Sequence, residues 1–546
     1  MIRGYDAQAV RQAEAPALAA GVPLMRNAAF ALANHIAAHL RVRSIPVPGA
    51  RALVLVGGGN NGGDGLFAAA DLRARGLQVT CLLVHQRPHA DGLAAARRAG
   101  VRIIDLSRAD TAPAEARKRP AAAPKHPADA RADPEEAALP AVVAGWGAWA
   151  DVWVDAMAGI GVQGALRDLP ARVVEALTAV RAGSPGDPLV VAVDTPSGIG
   201  ADIAQEPVPE DGVLRADLTV TMGAPKAGLL VPPGSRYAGG IEVVDLGLNA
   251  DFLRRRATVN RLTAADVADL WPVPAASDHK YTRGVVGLYA GSPHYPGAAL
   301  LCARAAAGVG AGMVRYLGHP DVAAEVVRAN PEVVTANGRV QSLVIGPGMP
   351  NDDEDLAAAM RLALRSWGLG EGAEHEAEIG GQIAVVLDAG ALDHVPDAPE
   401  TLAAHPVLLT PHAGELQRLL DRLGVHTTRG RIEADPWRWA HTAARRTGAT
   451  VLLKGAITVV APPAGAGYSQ DDGSPWLATA GSGDVLAGIL GAMLAQATEE
   501  ELARGEIAAR AAAAVVVHGR AAGLVGAPLR SPHLARAVPE AIATLL

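Results

Sequence analysis

The chain has 546 residues, several times a typical ~150-residue domain, so two or more domains are expected. Hydrophobic residues make up 50% and charged residues 19%, the balance of a cored globular protein rather than a disordered one. A net charge of −7 excludes a chain built to coat nucleic acid or an anionic membrane, and 3% aromatic content leaves small aliphatic side chains to build the core.

The N-terminal stretch carries Asp6, Arg11 and Glu14 where a signal peptide needs an apolar run, and no window offers ~18 uninterrupted apolar residues. A soluble, cytoplasmic protein with no membrane partner is expected. An opening helical segment leads to an apolar run at 51–56 that ends in glycines. Further strand candidates follow at 78–84, 101–106, 149–155, 189–193, 218–222 and 241–244, separated by Ala/Leu/Arg-rich stretches of helical length. That alternation predicts a parallel α/β sheet. Residues 110–140 break it with six prolines, many alanines and mixed charge, and read as a disordered insertion without chemistry.

A second series of strand candidates lies at 285–290, 313–317, 343–345, 384–387, 407–409 and 451–453. A Glu/Gly-rich loop interrupts it at 368–381, and Ala-rich helix follows from 484. No repeat relates the halves, so two different α/β domains in tandem are expected, 1–250 and 260–546. The two cysteines, Cys81 and Cys302, sit one in each half within apolar stretches and read as reduced core residues.

In the first half, Gly57-Gly58-Gly59-Asn60-Asn61-Gly62-Gly63-Asp64-Gly65 follows a strand and precedes an Ala-rich stretch at 66–75. Glycines there let backbone approach a ligand, and free N–H groups at a helix start favour phosphate. The pattern is neither GxGxxG nor a P-loop. Two later strand ends, from Asp155 through Gly161 and from Asp194 through Ile199, carry similar polar clusters. Strand ends of a parallel sheet gather on one edge, so Asn61, Asp155, Asp194 and Ser197 can converge there. Carboxylate, amide and hydroxyl oxygens suit a hard cation, and no His/Cys set for zinc is present.

The segments GGGNNGGDG, VDAMAGIGVQG, VDTPSGI, ADLTVTMGAPKAGL and PPGSRYAGGIEVVDLGL together resemble the N-terminal epimerase domain of bifunctional NAD(P)H-hydrate repair enzymes. The resemblance covers roughly residues 1–250 apart from the insertion, and implies a Rossmann-like three-layer αβα domain. It implies that Asn60, Asn61, Gly62, Gly63 and Asp64, with Gly159, Ile160, Gly161, Val162, Gln163, Gly164 and Ala165, hold the hydrated dinucleotide. Asp194 then lies near the nicotinamide ring as the acid–base group, and Asn61, Asp155 and Ser197 bind a potassium ion (K+). Family members usually read Phe-Gly-Thr-Gly where this chain has Ala158-Gly159-Ile160-Gly161, so the Thr hydroxyl of that pattern is missing.

In the second half, polar clusters occupy 279–284, 291–299, 346–348, 410–415 and 479–484. The last is the most informative: a Gly-Ser-Gly turn opening a helix presents N–H groups to an anion, with Asp484 beside it, suited to take a proton from a substrate hydroxyl. The competing reading of Asp484 is an ordinary N-cap. Lys454-Gly455 after a buried strand reads either as a turn or as a cation against nucleotide phosphates. These clusters resemble the ribokinase-like ADP/ATP-dependent NAD(P)H-hydrate dehydratase domain over about 260–546. That resemblance implies that Ala298, Gly348, His412 and Asp484 line the substrate site. It also implies that Lys454, Gly455, Ala456, Ile457, Thr458 and Gly483 bind the adenine nucleotide with magnesium (Mg2+). Tyr281 stands where many relatives have glycine.

Together the two resemblances imply metabolite repair: the first domain interconverts the R and S forms of hydrated NADH and NADPH (NADHX and NADPHX), and the second dehydrates the S form at the expense of ADP or ATP. A homo-oligomer is expected. Two other readings stay open on sequence: a small-molecule kinase for the second half, and a dinucleotide-sensing module for the first.

Overall fold

The computed structural model describes residues 1–110, 139–161, 164–183, 188–203, 212–350, 354–367, 382–396, 402, 406–504 and 507–546. They form two compact units, Arg3–Thr258 and Val259–Leu546, the latter joined by Met1–Ile2. The proline-rich segment lies outside the described residues except at its ends. Asp110 closes helix Leu106–Asp110, and Leu139–Trp149 opens with Pro140 in its first turn, where a missing N–H costs little. The loop 368–381 also lies outside them.

The first unit is a seven-stranded, all-parallel sheet in the spatial order Arg102–Asp105, Gln78–Leu83, Arg51–Val56, Val152–Ala156, Leu189–Val193, Leu218–Met222, Gly240–Val244. Its strands read as unbroken apolar runs because both faces are covered. Ala52, Val54 and Val56 join one core with helices Leu24–Val42 and Gly59–Ala74. Leu53 and Leu55 join another with Leu139–Trp149 and Asp168–Gly183. The two-residue strand period thus divides one sequence between two cores, giving three layers. The order reverses direction between Arg51–Val56 and Val152–Ala156, so the turns after these two strands open the crevice where such sheets bind ligands.

The glycine cluster does not form a loop there. The helix begins at Gly59, and Asn60–Gly65 are its first turns. Helical glycine costs about 1 kcal/mol relative to alanine, and close packing explains its presence. A methyl group on Gly57 would lie 1.7 Å from the Met157 carbonyl oxygen, and one on Gly62 would lie 2.3 Å from that of Gly57.

In the second unit, parallel strands run in the order Met313–Tyr316, Val285–Tyr289, Ser342–Ile345, Ala384–Leu387, Val407–Leu409 and Thr450–Leu453. The sheet then continues antiparallel through Thr458–Ala461 and Gly467–Gln470, with Val259–Arg261 parallel to the last of these, three strands that the apolar-run pattern does not reveal. Helices Pro296–Gly308, Ser482–Ala495, Ile507–Val525 and Ser531–Ala543 share one core with the sheet. Pro436–Thr447 packs against Thr450–Leu453 and Thr458–Ala461. Among the described residues, Ile507–Val525 alone is long and apolar enough to cross a membrane, and 78% of its apolar window is buried within the fold. Cys81 and Cys302 are free and buried.

Candidate active sites

At the first unit's crevice, Asp194 follows strand Leu189–Val193 with φ +66°, a conformation uncommon for a residue with a side chain. Its Oδ1 accepts from the Met222 amide at 3.0 Å and the Thr221 hydroxyl at 3.3 Å, and forms an ion pair with Lys226. Lys226 is 0% exposed and also donates to the Met222 carbonyl at 2.6 Å. Asp64 lies within the field of this pair. Burial first, then the charges of Asp194 and Glu14, push its carboxyl well above the usual range, with Lys226 opposing. Its Oδ1 is buried without a hydrogen-bond partner among the described residues.

Asp155, Ser197 and Asn61 surround Ala158–Gly159. Asp155 is 0% exposed, with Oδ1 accepting from the Ser197 hydroxyl at 2.5 Å and Oδ2 from the Ser197 amide at 2.9 Å. Burial raises its pKa against these bonds. The Ser197 hydroxyl oxygen accepts from the Ala158 amide at 2.9 Å. Asn61 lies close enough to Gly159 that a methyl group there would sit 3.1 Å from its side chain, and Asn61 Nδ2 is buried without a partner among the described residues. Ile160 packs against the cluster of Tyr5, Val10 and Phe252. Gly161 ends a turn and Gly164 lies in a bend, while Val162 and Gln163 lie outside the described residues.

In the second unit, Gly481 holds the N-cap with φ +87°, which places Asp484 in the first turn of Ser482–Ala495 and excludes it from the N-cap position. The turn is tied from three sides. The Ser482 hydroxyl donates to the Leu477 carbonyl at 2.7 Å, Ser531 to that of Ala480 at 2.6 Å, and His518 Nε2 to that of Ser482 at 3.0 Å. Burial pushes His518 down to about 4, so its ring is neutral at pH 7. Burial, reinforced by Asp388, pushes Asp484 up to about 6, with Lys454 opposing.

Lys454 leads the hairpin between Thr450–Leu453 and Thr458–Ala461, so Lys454–Thr458 is a turn as well as a candidate phosphate contact. Its Nζ lies 2.8 Å from Asp388 Oδ1, which also accepts from Thr410 at 2.8 Å. Burial works against the ammonium, but Asp388 and Glu415 outweigh it and raise its pKa. A methyl group on Gly483 would lie 3.8 Å from Lys454 Nζ, which brings both nucleotide candidates together. His412 pairs with Lys454 through backbone, and its Nδ1 caps helix Ala413–Arg422 by accepting from Gly414 and Glu415 amides at 3.0 and 3.2 Å. Ala298 and Gly348 form one wall, since a methyl on Gly348 would lie 2.4 Å from the Ala298 side chain.

Three residues of these clusters escaped the sequence reading: Lys226, Asp388 and Glu14. Lys226 stood within GAPKAGLL as the one charge in an apolar run, and Asp388 directly follows a strand end. Glu14 carried no signal beyond its helical position.

Residues 21–228 match the family described as YjeF-related protein N-terminus, and 286–534 the family described as NAD(P)H-hydrate dehydratase. A protein of Mycobacterium tuberculosis named bifunctional NAD(P)H-hydrate repair enzyme is 38% identical over 516 residues, covering 92% of this chain and 91% of its own. An NAD(P)H-hydrate epimerase of Clavibacter sepedonicus is 43% identical over 248 residues, covering 45% of this chain and 91% of its own. The crystal structure of an ADP/ATP-dependent NAD(P)H-hydrate dehydratase from Bacillus subtilis, at 26% identity and a TM-score of 0.43, covers 53% of this chain and 99% of its own.

Proposed function

The chain belongs to the family of bifunctional NAD(P)H-hydrate repair enzymes, and we propose that its first unit interconverts R and S hydrates of NADH and NADPH while its second, ribokinase-like unit dehydrates the S form with ADP or ATP. One observation carries the chemistry of the second unit: Asp484, with a pKa of about 6, stands in the first turn of helix Ser482–Ala495, whose start is tied through Ser482 to Leu477 and His518. Hydroxide is a poor leaving group at neutral pH, so the ring hydroxyl must be converted first. Asp484 takes its proton as the oxygen attacks the nucleotide's terminal phosphorus. The Gly481 and Gly483 amides and the Lys454 ammonium meet the charge that builds on the transferred group. The ring nitrogen lone pair then expels phosphate. Magnesium would accompany the nucleotide phosphates and neutralise part of their charge. Ala298, Gly348 and His412 would bound the hydrated ring, and Lys454–Thr458 with Gly483 the nucleotide.

In the first unit, Asn60–Asp64 and the turn 159–165 would hold the dinucleotide, with Asp194 toward its ring. Asn61, Asp155 and Ser197 would hold potassium. Their amide, hydroxyl and single carboxylate suit a large monovalent ion better than magnesium, which demands compact octahedral geometry. The ion would supply order to both turns. Asp155→Ala should therefore lower epimerase activity and remove any difference between potassium, sodium and lithium, leaving dehydration of pure S hydrate unchanged. The family reading also includes a homo-oligomer in the cytoplasm, which sedimentation and fractionation would test.

The deciding experiment is absorbance at the dihydronicotinamide band for a mixed-epimer hydrate given ADP or ATP with magnesium. Full recovery supports both activities, and recovery of half supports the second alone. A stable phosphorylated product would mark the second unit as a kinase instead.

A further inference from the structure

Four elements of the first unit bring three carboxylates and one lysine together: Glu14 on helix Ala7–Ala19, Asp64 on Gly59–Ala74, Asp194 after Leu189–Val193, and Lys226 after Leu218–Met222. We propose that Asp64 and Asp194 form an acid–base pair in epimerisation, Asp64 protonating the departing ring hydroxyl and Asp194 accepting a proton from water returning to the opposite face. The inference rests on the epimerase reading above and gives Asp64 a chemical role beyond binding.

The two carboxyls sit in opposed environments. Asp194 Oδ1 is loaded with an ammonium, an amide and a hydroxyl, which suits a carboxylate. Asp64 Oδ1 is buried with no donor among the described residues, which suits a neutral acid. Burial and the nearby Asp194 and Glu14 charges act in the same sense on Asp64, raising its pKa well above the ordinary value. Glu14 is itself raised by burial, with Asp194 adding to this and Lys226 and Arg11 opposing. In a site with two carboxyls, the one held neutral by burial acts as the acid, and the one already receiving an ammonium, an amide and a hydroxyl acts as the base.

The steps balance without oxidant or reductant. The ring nitrogen lone pair moves into the ring as the C–O bond breaks, and the hydroxyl leaves as water with the proton of Asp64. Water then forms a new C–O bond on the other face of the iminium carbon, and its proton passes to Asp194. The hydrate is inverted, Asp64 is ionised and Asp194 protonated. The opposite conversion runs the pair backward, and a proton passed from Asp194 to Asp64 restores the starting state. Glu14 and Lys226 face both groups and set the balance between those two states.

The test uses the full chain, pure R and pure S hydrate, and isotopically labelled water. Wild-type protein should place one solvent oxygen in the hydrate per epimerisation, and its kcat should fall as pH rises through the Asp64 pKa. Asp64→Asn should lower kcat by about 10²–10⁴ with KM within a few-fold and lose that alkaline limb. Asp64→Glu should recover part of kcat. Pure S hydrate should be dehydrated at an unchanged rate by both variants. Epimerisation without oxygen exchange, or an Asp64→Asn effect confined to KM, overturns the pair. The exchange and pH profile of the wild type decide even where Asp64→Asn does not fold. Wild-type protein that fails to epimerise at all removes the epimerase reading itself.

Discussion

Each unit sets a lysine among aspartates at the carboxyl ends of a parallel sheet, and the two arrangements differ in which aspartate the lysine meets. In the first unit Lys226 is bound directly to Asp194. In the second, Lys454 is bound to Asp388, and Asp484 stands beside that pair without its own cation. The direct pair fixes the Asp194 carboxylate in place beside a fully buried lysine. The offset pair supplies a repelling carboxylate and an attracting ammonium at once, and burial then carries the Asp484 pKa to about 6. A carboxylate poised there takes a proton at neutral pH more readily than one near ~4. The same two side-chain types thus make a direct pair in one site and a tunable base in the other.

Asp484→Asn attacks the contrast at its sharpest point. Dehydration of S hydrate should fall by about 10²–10⁴ with epimerisation intact, and near-normal turnover would remove Asp484 from the chemistry. Lys226→Met comes next. It strips the cation from a mostly buried carboxylate and should destabilise the first unit by about 3–5 kcal/mol in denaturant titration. Lys454→Met should cost less, because water already reaches that lysine, whose side chain is 22% exposed against 1% for Lys226. Equal losses would show that direct and offset pairs are energetically alike.

Asp388→Asn sharpens the comparison through pH. The base form of Asp484 is needed, so wild-type dehydration should rise with pH through about 6. Removing the Asp388 charge removes a raising influence, so that limb should move to lower pH, and a limb that stays put would leave burial as the whole cause. The smallest effect is on stability. A carboxyl whose pKa is raised by folding binds its proton more tightly in the native state, so it destabilises the fold as pH rises from about 4 to about 6. Asp484→Asn should therefore stabilise the second unit by about 1–3 kcal/mol above pH 6, a gain that fades toward pH 4. A variant less stable than wild type at pH 7 would contradict that reading.

The parallel strands were legible because burial on both faces writes them as unbroken apolar runs, as in Leu189–Val193 and Ala384–Leu387. The hairpin Thr458–Ala461 and Gly467–Gln470 was not, since the second of these carries Tyr468, Ser469 and Gln470. The start of helix Gly59–Ala74 was hidden for a related reason: its Gly63 and Gly65 are packed against Met25 and against Ala156, about ninety residues beyond Gly65 in sequence, and answer to those contacts rather than to local propensity. The ion pairs follow the same rule. Lys226 lies 32 residues from Asp194, and Lys454 66 residues from Asp388. Motif residues announced where chemistry gathers, but which acid a lysine meets is decided by strand order.

Helix Ile507–Val525 has the length and hydropathy of a membrane-crossing segment, yet most of it is covered by the second unit's own core. Every strand from Val259–Arg261 through Gly467–Gln470 precedes it in the chain. During synthesis the sheet that must receive it has therefore already left the ribosome when the helix emerges, and domains that fold as they are made can bury such a segment at once. A lesion that delays the sheet, such as a charge placed in Ala384–Leu387, would leave an apolar helix waiting for a surface. Its fate would then lie with chaperones or a bilayer rather than with the fold.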